Sequence, residues 1–119
     1  MQEETENGIK IVDNFGNNKE NHQKIIEALK CVFDPDIHYS IYDMGLIYEI
    51  HIEKEKIHII MTLTSVNCPA AESLPADVKL ELELVSGFEN WDISVEVVFE
   101  PNWTVDNMTD EIKLRLGLL

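Results

Sequence analysis

The spacing of hydrophobic residues changes from a helical period to a strand period along the chain. Ile25, Ile26, Leu29, Val32 and Phe33 fall at i, i+1, i+4, i+7 and i+8, which is the stripe of an amphipathic helix over residues 20–32. Asn17 or Asn18 can cap its start. Asp34-Pro35-Asp36 ends it, because Pro35 disfavours the helical region for the residue before it. From Gly45 the period drops to two, with Leu46, Tyr48, Ile50 and Ile52 on one face and Ile47, Glu49, His51 and Glu53 on the other. Lys54-Glu55-Lys56 makes a charged turn into a second alternating run, Ile57, Ile59, Met61 and Leu63, and the two runs form a hairpin. Trp91, Ile93, Val95, Val97 and Phe99 make a third run that stops at Glu100-Pro101.

Residues 69–87 fit two patterns. Val78, Leu80, Leu82 and Leu84 alternate as in a strand, while Leu74, Val78, Leu82 and Val85 share a helix face; the density of Ala, Glu, Leu and Lys favours the helix, with Pro75 as its start or a kink. Thr109 caps a last helix with Asp110 and Glu111 in its first turn, Lys113 and Arg115 in its last, and Gly117 at its stop. Residues 1–19, polar apart from a patch at Ile9, Ile11, Val12 and Phe15, read as a flexible acidic tail. The expected fold is a small two-layer α+β domain over residues 20–119. Its order is helix–hairpin–helix–strand–helix, with the helices packed on one face of a mixed three-stranded sheet.

Composition narrows the possible partners. The 119 residues suit one domain, and 23 acidic against 9 basic residues leave a formal charge of -14. Phosphate backbones and anionic membrane surfaces are bound by Lys and Arg, so neither nucleic acid nor membrane is an expected partner. The acidic, polar start lacks the character of a secretory leader and no stretch is long and apolar enough to span a membrane, so a cytoplasmic protein with reduced thiols is expected. The two cysteines, Cys31 and Cys68, make no CxxC pair or zinc-finger spacing, and no GxGxxG, P-loop or serine nucleophile elbow is present.

Cys68 is the first candidate for chemistry. Pro69 behind it suits the first position of a helix, which puts Cys68 at the N-cap, where the helix dipole and unpaired N–H groups favour the thiolate. A small buried hydrophobe at a strand-to-helix turn explains the same spacing equally well. Cys31 lies beside the apolar stripe of the first helix and reads as structural. Asp34 and Asp36 flank Pro35 in a loop that could supply oxygen ligands or a base, but simple turn chemistry is the plainer account of them. His38 follows that loop. His51 and His58 nearly face each other on the polar side of the hairpin, a two-histidine pair without a third ligand; solvated or helix-packed imidazoles are the plainer account.

Taken in order, Phe33-Asp34-Pro35-Asp36-Ile37, Tyr42-Asp43-Met44-Gly45-Leu46-Ile47-Tyr48, Met61-Thr62-Leu63-Thr64-Ser65 and Cys68-Pro69-Ala70-Ala71-Glu72 resemble the PaaD/SufT-like family of metal–sulfur cluster biosynthesis proteins. Phe99-Glu100-Pro101-Asn102-Trp103-Thr104 and Lys113-Leu114-Arg115-Leu116-Gly117 are similar to the family's closing segments, so the resemblance runs over residues 21–119. It implies helices on one side of a small mixed sheet and a role in assembling iron–sulfur clusters or delivering them to client apoproteins. The family cysteine maps onto Cys68, and the supporting positions onto Asp34, Asp36, Asp43, Thr64 and Ser65; His38 is a further candidate metal neighbour only because it follows the Asp34 loop in the chain. The chain departs from the family at Val66-Asn67 and at Asn102, where prolines or glycine are usual. It also lacks the cysteine-rich extension of the phenylacetate-pathway members, which points to the general maturation branch.

Iron–sulfur clusters are held mostly by four thiolates, so one well-placed thiol holds a cluster, or iron, only transiently and by sharing. The sharing partner is an assembly carrier, a client apoprotein or a second copy in a homodimer. Two other classes stay open: a metal-free acidic adaptor domain, and a cysteine-dependent enzyme with a histidine base.

Overall fold

The computed structural model describes the backbone of residues 2–4 and residues 9–14, 16, 19–34, 38–64 and 73–117 in full. Five strands, β1 (Gln2–Glu4), β2 (Lys10–Asp13), β3 (Ile47–Glu53), β4 (Lys56–Met61) and β5 (Asp92–Val97), form one sheet in chain order. β1/β2 and β3/β4 are antiparallel, while β2/β3 and β4/β5 are parallel. The helices are α1 (Lys19–Leu29), α2 (Ser73–Glu83) and α3 (Asp110–Arg115), with a 3-10 turn at Val105–Asn107. Among the described residues no helix is long and apolar enough to cross a membrane.

The α+β expectation stands, and among the described residues the sheet has five strands where three were expected. The additional strands come from residues that read as a tail. Ile9 and Ile11 are buried, and β2 pairs in parallel with β3, so that Ile11 lies opposite Ile50 and Asp13 opposite Ile52. Asp13 points into the core side, where a carboxylate oxygen lies 2.6 Å from Nε2 of His22 on α1. A buried polar pair of this kind ties β2 to the helix above it.

Ile25, Ala28 and Leu29 of α1 and Leu74, Val78 and Leu82 of α2 bury against Ile50, Ile52, Ile57, Ile59, Met61 and Ile93 in a single core. The pattern that left residues 69–87 ambiguous is decided here: Leu80 and Leu84 face solvent, as a helix requires and an inward-facing strand alternation forbids. α1 ends at Leu29, earlier than expected, and its last turn tightens into i→i−3 bonds from Cys31 N to Ala28 O and Val32 N to Leu29 O. That tightening turns Phe33 out of the stripe and into solvent, where it is 59 % exposed.

The hairpin closes on Glu53 opposite Lys56, with Glu55 in the left-handed region at φ 54. The strict alternation expected of β3 breaks between Ile47 and Glu49, where a register shift leaves Tyr48 without a partner and lets both Ile47 and Ile50 face inward. α3 forms as the caps predict: Thr109 Oγ1 accepts from Ile112 N, and Gly117 follows the helix at φ 78. The cap expected at Asn17 or Asn18 lies outside the described residues.

Candidate functional site

The start of β3, the end of β4 and the end of β5 lie at one end of the sheet, because β3 runs antiparallel to β4 and β5 parallel to it. The described motif residues other than the hairpin histidines gather in the loops at this end. Thr62 N donates to Leu46 O and Val98 N to Met61 O, which stitches the three loop bases together.

Residues 41–45 form a tight turn whose origin is local. Ser40 Oγ accepts from Tyr42 N at 3.1 Å and from Asp43 N at 3.3 Å, and Ser40 O accepts from Met44 N, so one serine caps the whole turn. Gly45 completes it at φ 74. The C-terminal segment then clamps the turn from outside: Thr109 N donates to Asp43 O, and the Trp103 indole N–H donates to Met44 O at 2.8 Å. Tyr48 O–H donates to Pro101 O at 2.8 Å. Burial raises the Tyr48 pKa above its ordinary value of 10.0, and side-chain hydrogen bonds with Thr62 and Asn107 offset part of that rise.

Asp34 sits at the base of the neighbouring loop and is only 2 % exposed. Its N–H donates to Tyr39 O and its carbonyl accepts from His38 N, while Phe33 and Ser40 form a one-rung bridge. His38 adopts a left-handed φ of 66 and is exposed. The loop bearing Asp34 is therefore continuous with the Ser40-capped turn bearing Asp43. Thr64, half-buried beyond β4, is the last described residue before segment 65–72, and α2 is described from Ser73. Cys68, Ser65 and Asp36 lie outside the described residues, as does the expected N-cap role of Cys68. Beside the clamp a cleft of about 660 Å³ opens, lined by Gly45, Tyr48, Glu49, Pro101 and Asn107 among others.

The remaining candidates lie elsewhere. Cys31 is exposed at the end of α1. His51 and His58 are direct cross-strand partners near the hairpin turn, at the opposite end of the sheet from these loops, with ring centroids 6.4 Å apart. Each imidazole has its own carboxylate: Glu49 lies 2.7 Å from His51 Nε2 and Glu96 lies 3.0 Å from His58 Nε2. Among the described residues no group of three or more His, Cys, Asp or Glu is placed to hold a metal. Sequence reasoning missed Ser40, although a serine preceding an apolar turn is a signal for such a cap, and it gave no role to the Trp103 clamp.

Known proteins share this architecture and sequence. The family described as iron–sulfur cluster assembly protein matches residues 22–95. An Fe-S protein maturation auxiliary factor of Porphyromonas gingivalis is 38% identical over 98 residues, covering 82% of this chain and 91% of that one. The Fe-S protein maturation auxiliary factor YitW of Bacillus subtilis is 38% identical over 97 residues, covering 81% and 93%. Among solved structures, a domain of unknown function from Bacillus anthracis has a TM-score of 0.76 at 31% identity, covering 85% of this chain and 95% of its own. With the family match and the relatives both spanning most of the folded region, the chain belongs to the PaaD/SufT-like family of iron–sulfur cluster assembly proteins.

Proposed function

We propose that this protein is a non-catalytic maturation factor whose Cys68 thiolate takes up iron or an iron–sulfur cluster transiently and passes it to client apoproteins. Asp34, Asp36, Asp43, Thr64 and Ser65 shape the place where this happens. The observation that carries the reading is the gathering of the Asp34 loop, the Asp43 turn and Thr64 at the sheet end from which the Cys68 segment departs. The relatives' names, Fe-S protein maturation auxiliary factor, support the same role.

The chemistry follows from ligand count. A single thiolate leaves most positions of a cluster to be filled by another molecule, so cargo bound here is shared with a carrier, a client or a second copy. Shared ligation is weak in each half and suits transfer, where a closed four-thiolate cage would retain the cargo. A thiolate is also the form that must be present for binding, so loading rises with pH through the thiol pKa.

The test is anaerobic reconstitution with iron and sulfide, read by visible absorbance and by activation of a client apoprotein, in the wild type and in Cys68→Ser. Loss of both signals in the variant supports the reading. Client activation that is unaffected by Cys68→Ser overturns it in favour of an adaptor that works through its surface alone.

A further inference from the structure

We propose that the groove between the end of α1 and the outer face of α2 docks the protein with which this one exchanges its cargo, through an apolar side chain flanked by Lys or Arg. This rests on the maturation-factor reading and adds to it the place and chemistry of the partner.

α2 carries two apolar stripes. Leu74, Val78 and Leu82 are buried in the core, but Leu80 and Leu84, one turn apart on the other side, are 53 % and 71 % exposed. A helix lying on one sheet face needs only one apolar stripe, so the outer pair is not explained by folding. Across from it stands the exposed Phe33, and Cys31, Val32 and Phe33 meet Asp77, Leu80 and Glu81 around a groove of about 140 Å³. That volume is below the roughly 300 Å³ at which small-molecule pockets begin, and it suits a single inserted side chain.

Charge selects the occupant. Asp77 and Glu81 supply the rim, and the nearby Lys30 is held over the Tyr42 ring, 5.2 Å from its centroid. The whole chain carries a formal charge of -14, so a second copy brings the same sign to the same rim, whereas Lys or Arg beside an apolar anchor is attracted to it. Position supports the assignment too. Phe33 directly precedes Asp34, and α2 follows the segment that holds Cys68, so a partner seated here lies against both elements that lead into the proposed transfer site.

The first probe is a synthetic amphipathic helical peptide with one leucine face and lysine elsewhere, titrated by fluorescence anisotropy against its glutamate counterpart. The lysine peptide is expected to bind and the glutamate peptide to fail. Phe33→Ser/Leu80→Ser should weaken binding by about tenfold or more, as loss of apolar anchors does. Asp77→Lys/Glu81→Lys, which leaves the apolar residues in place, should weaken it mainly at low salt. Binding indifferent to both variants, which general attraction to an acidic protein would give, overturns the proposal.

Anaerobic capture from native extract with partners named by mass spectrometry is the second arm. Recovery of an iron–sulfur protein or carrier that is lost in the groove variants but kept in Cys68→Ser supports the proposal; recovery that ignores the groove variants overturns it. A dimer in sedimentation that Phe33→Ser/Leu80→Ser dissociates also overturns it, by making a second copy the occupant. Failure of the Cys68 reading shows separately, as wild-type reconstitution without cluster absorbance.

Discussion

Gly45 and Asn107 meet with no room for a side chain between their backbones: a Cβ added at Gly45 would stand 2.7 Å from the Asn107 Cβ and closer still to its carbonyl oxygen. The contact joins residues far apart in the chain. It brings the 3-10 turn at Val105–Asn107 down onto the turn that holds Asp43, and so fixes one wall of the candidate site from the C-terminal side.

Gly45→Ala should therefore meet two penalties. The left-handed backbone at φ 74 costs an alanine about 1–2 kcal/mol, and displacement of the Asn107 backbone adds roughly 1–3 kcal/mol. Gly117, at φ 78 with nothing within 4 Å, separates the two because Gly117→Ala meets only the first. Urea unfolding of both variants measures the difference. Equal losses would mean that the Gly45–Asn107 approach contributes nothing.

Trp103→Phe tests the clamp with little change in apolar bulk. It removes the indole donor at 2.8 Å from Met44 O, which should cost about 1 kcal/mol globally. The local effect is the more informative one: amide exchange at Met44, Gly45 and Thr109 should rise together, since these groups form the turn and its seat. A rise confined to residues 101–104 would show that the turn stands without the clamp.

What was legible in the sequence was local. The Thr109 cap, the charges of α3, the hairpin from Ile50 to Ile59 and the Ile25–Leu29 part of the α1 stripe depend on residues within a turn or two of each other, and they lie where the pattern put them; Phe33 does not, because the helix tightens and ends before it. β1 and β2 escaped because a strand of three or four residues has almost no period of its own, and Lys10–Asp13 becomes a strand only by pairing with residues 49–52. The alternation of β3 misled at Tyr48 because a bulge is set by the partner strand. Of the candidate site residues, Asp34, Asp43 and Thr64 stand in loops at one end of the sheet, but nothing local signals that Trp103 and Thr109 fold back on the turn at Asp43 and Met44; Cys68, Asp36 and Ser65 fall outside the described residues.

Tyr48 gives the pH prediction. Burial disfavours the phenolate, so the folded-state pKa lies above the unfolded value of 10.0, and the protonated phenol contributes stability that is present below that value. That contribution is lost as pH rises from the unfolded value through the higher folded one. Tyr48→Phe should lose about 1 kcal/mol near neutrality with its hydrogen bond to Pro101 O, yet flatten the alkaline fall in stability. Denaturant midpoints measured from neutral pH into the alkaline range check both parts; a fall equally steep in Tyr48→Phe would assign it to other groups.

The Asp13–His22 pair decides how firmly the N-terminal strands belong to the fold. Both side chains are buried, they meet at 2.6 Å, and they connect β2 to α1 above it. Asp13→Ala and His22→Ala should each cost about 1–3 kcal/mol, because each removes a polar contact in a place where water does not readily replace it. A double-mutant cycle isolates the pair, and contact at this distance predicts a coupling of roughly 0.5–3 kcal/mol. If β2 pairs stably with β3, the coupling appears in global unfolding and the amides of residues 10–13 are protected from exchange to a similar free energy. Were the N-terminal segment instead to detach before the rest unfolds, coupling would approach zero and those amides would exchange early. The two measurements together therefore distinguish a five-stranded cooperative sheet from a smaller one with a strand laid against it.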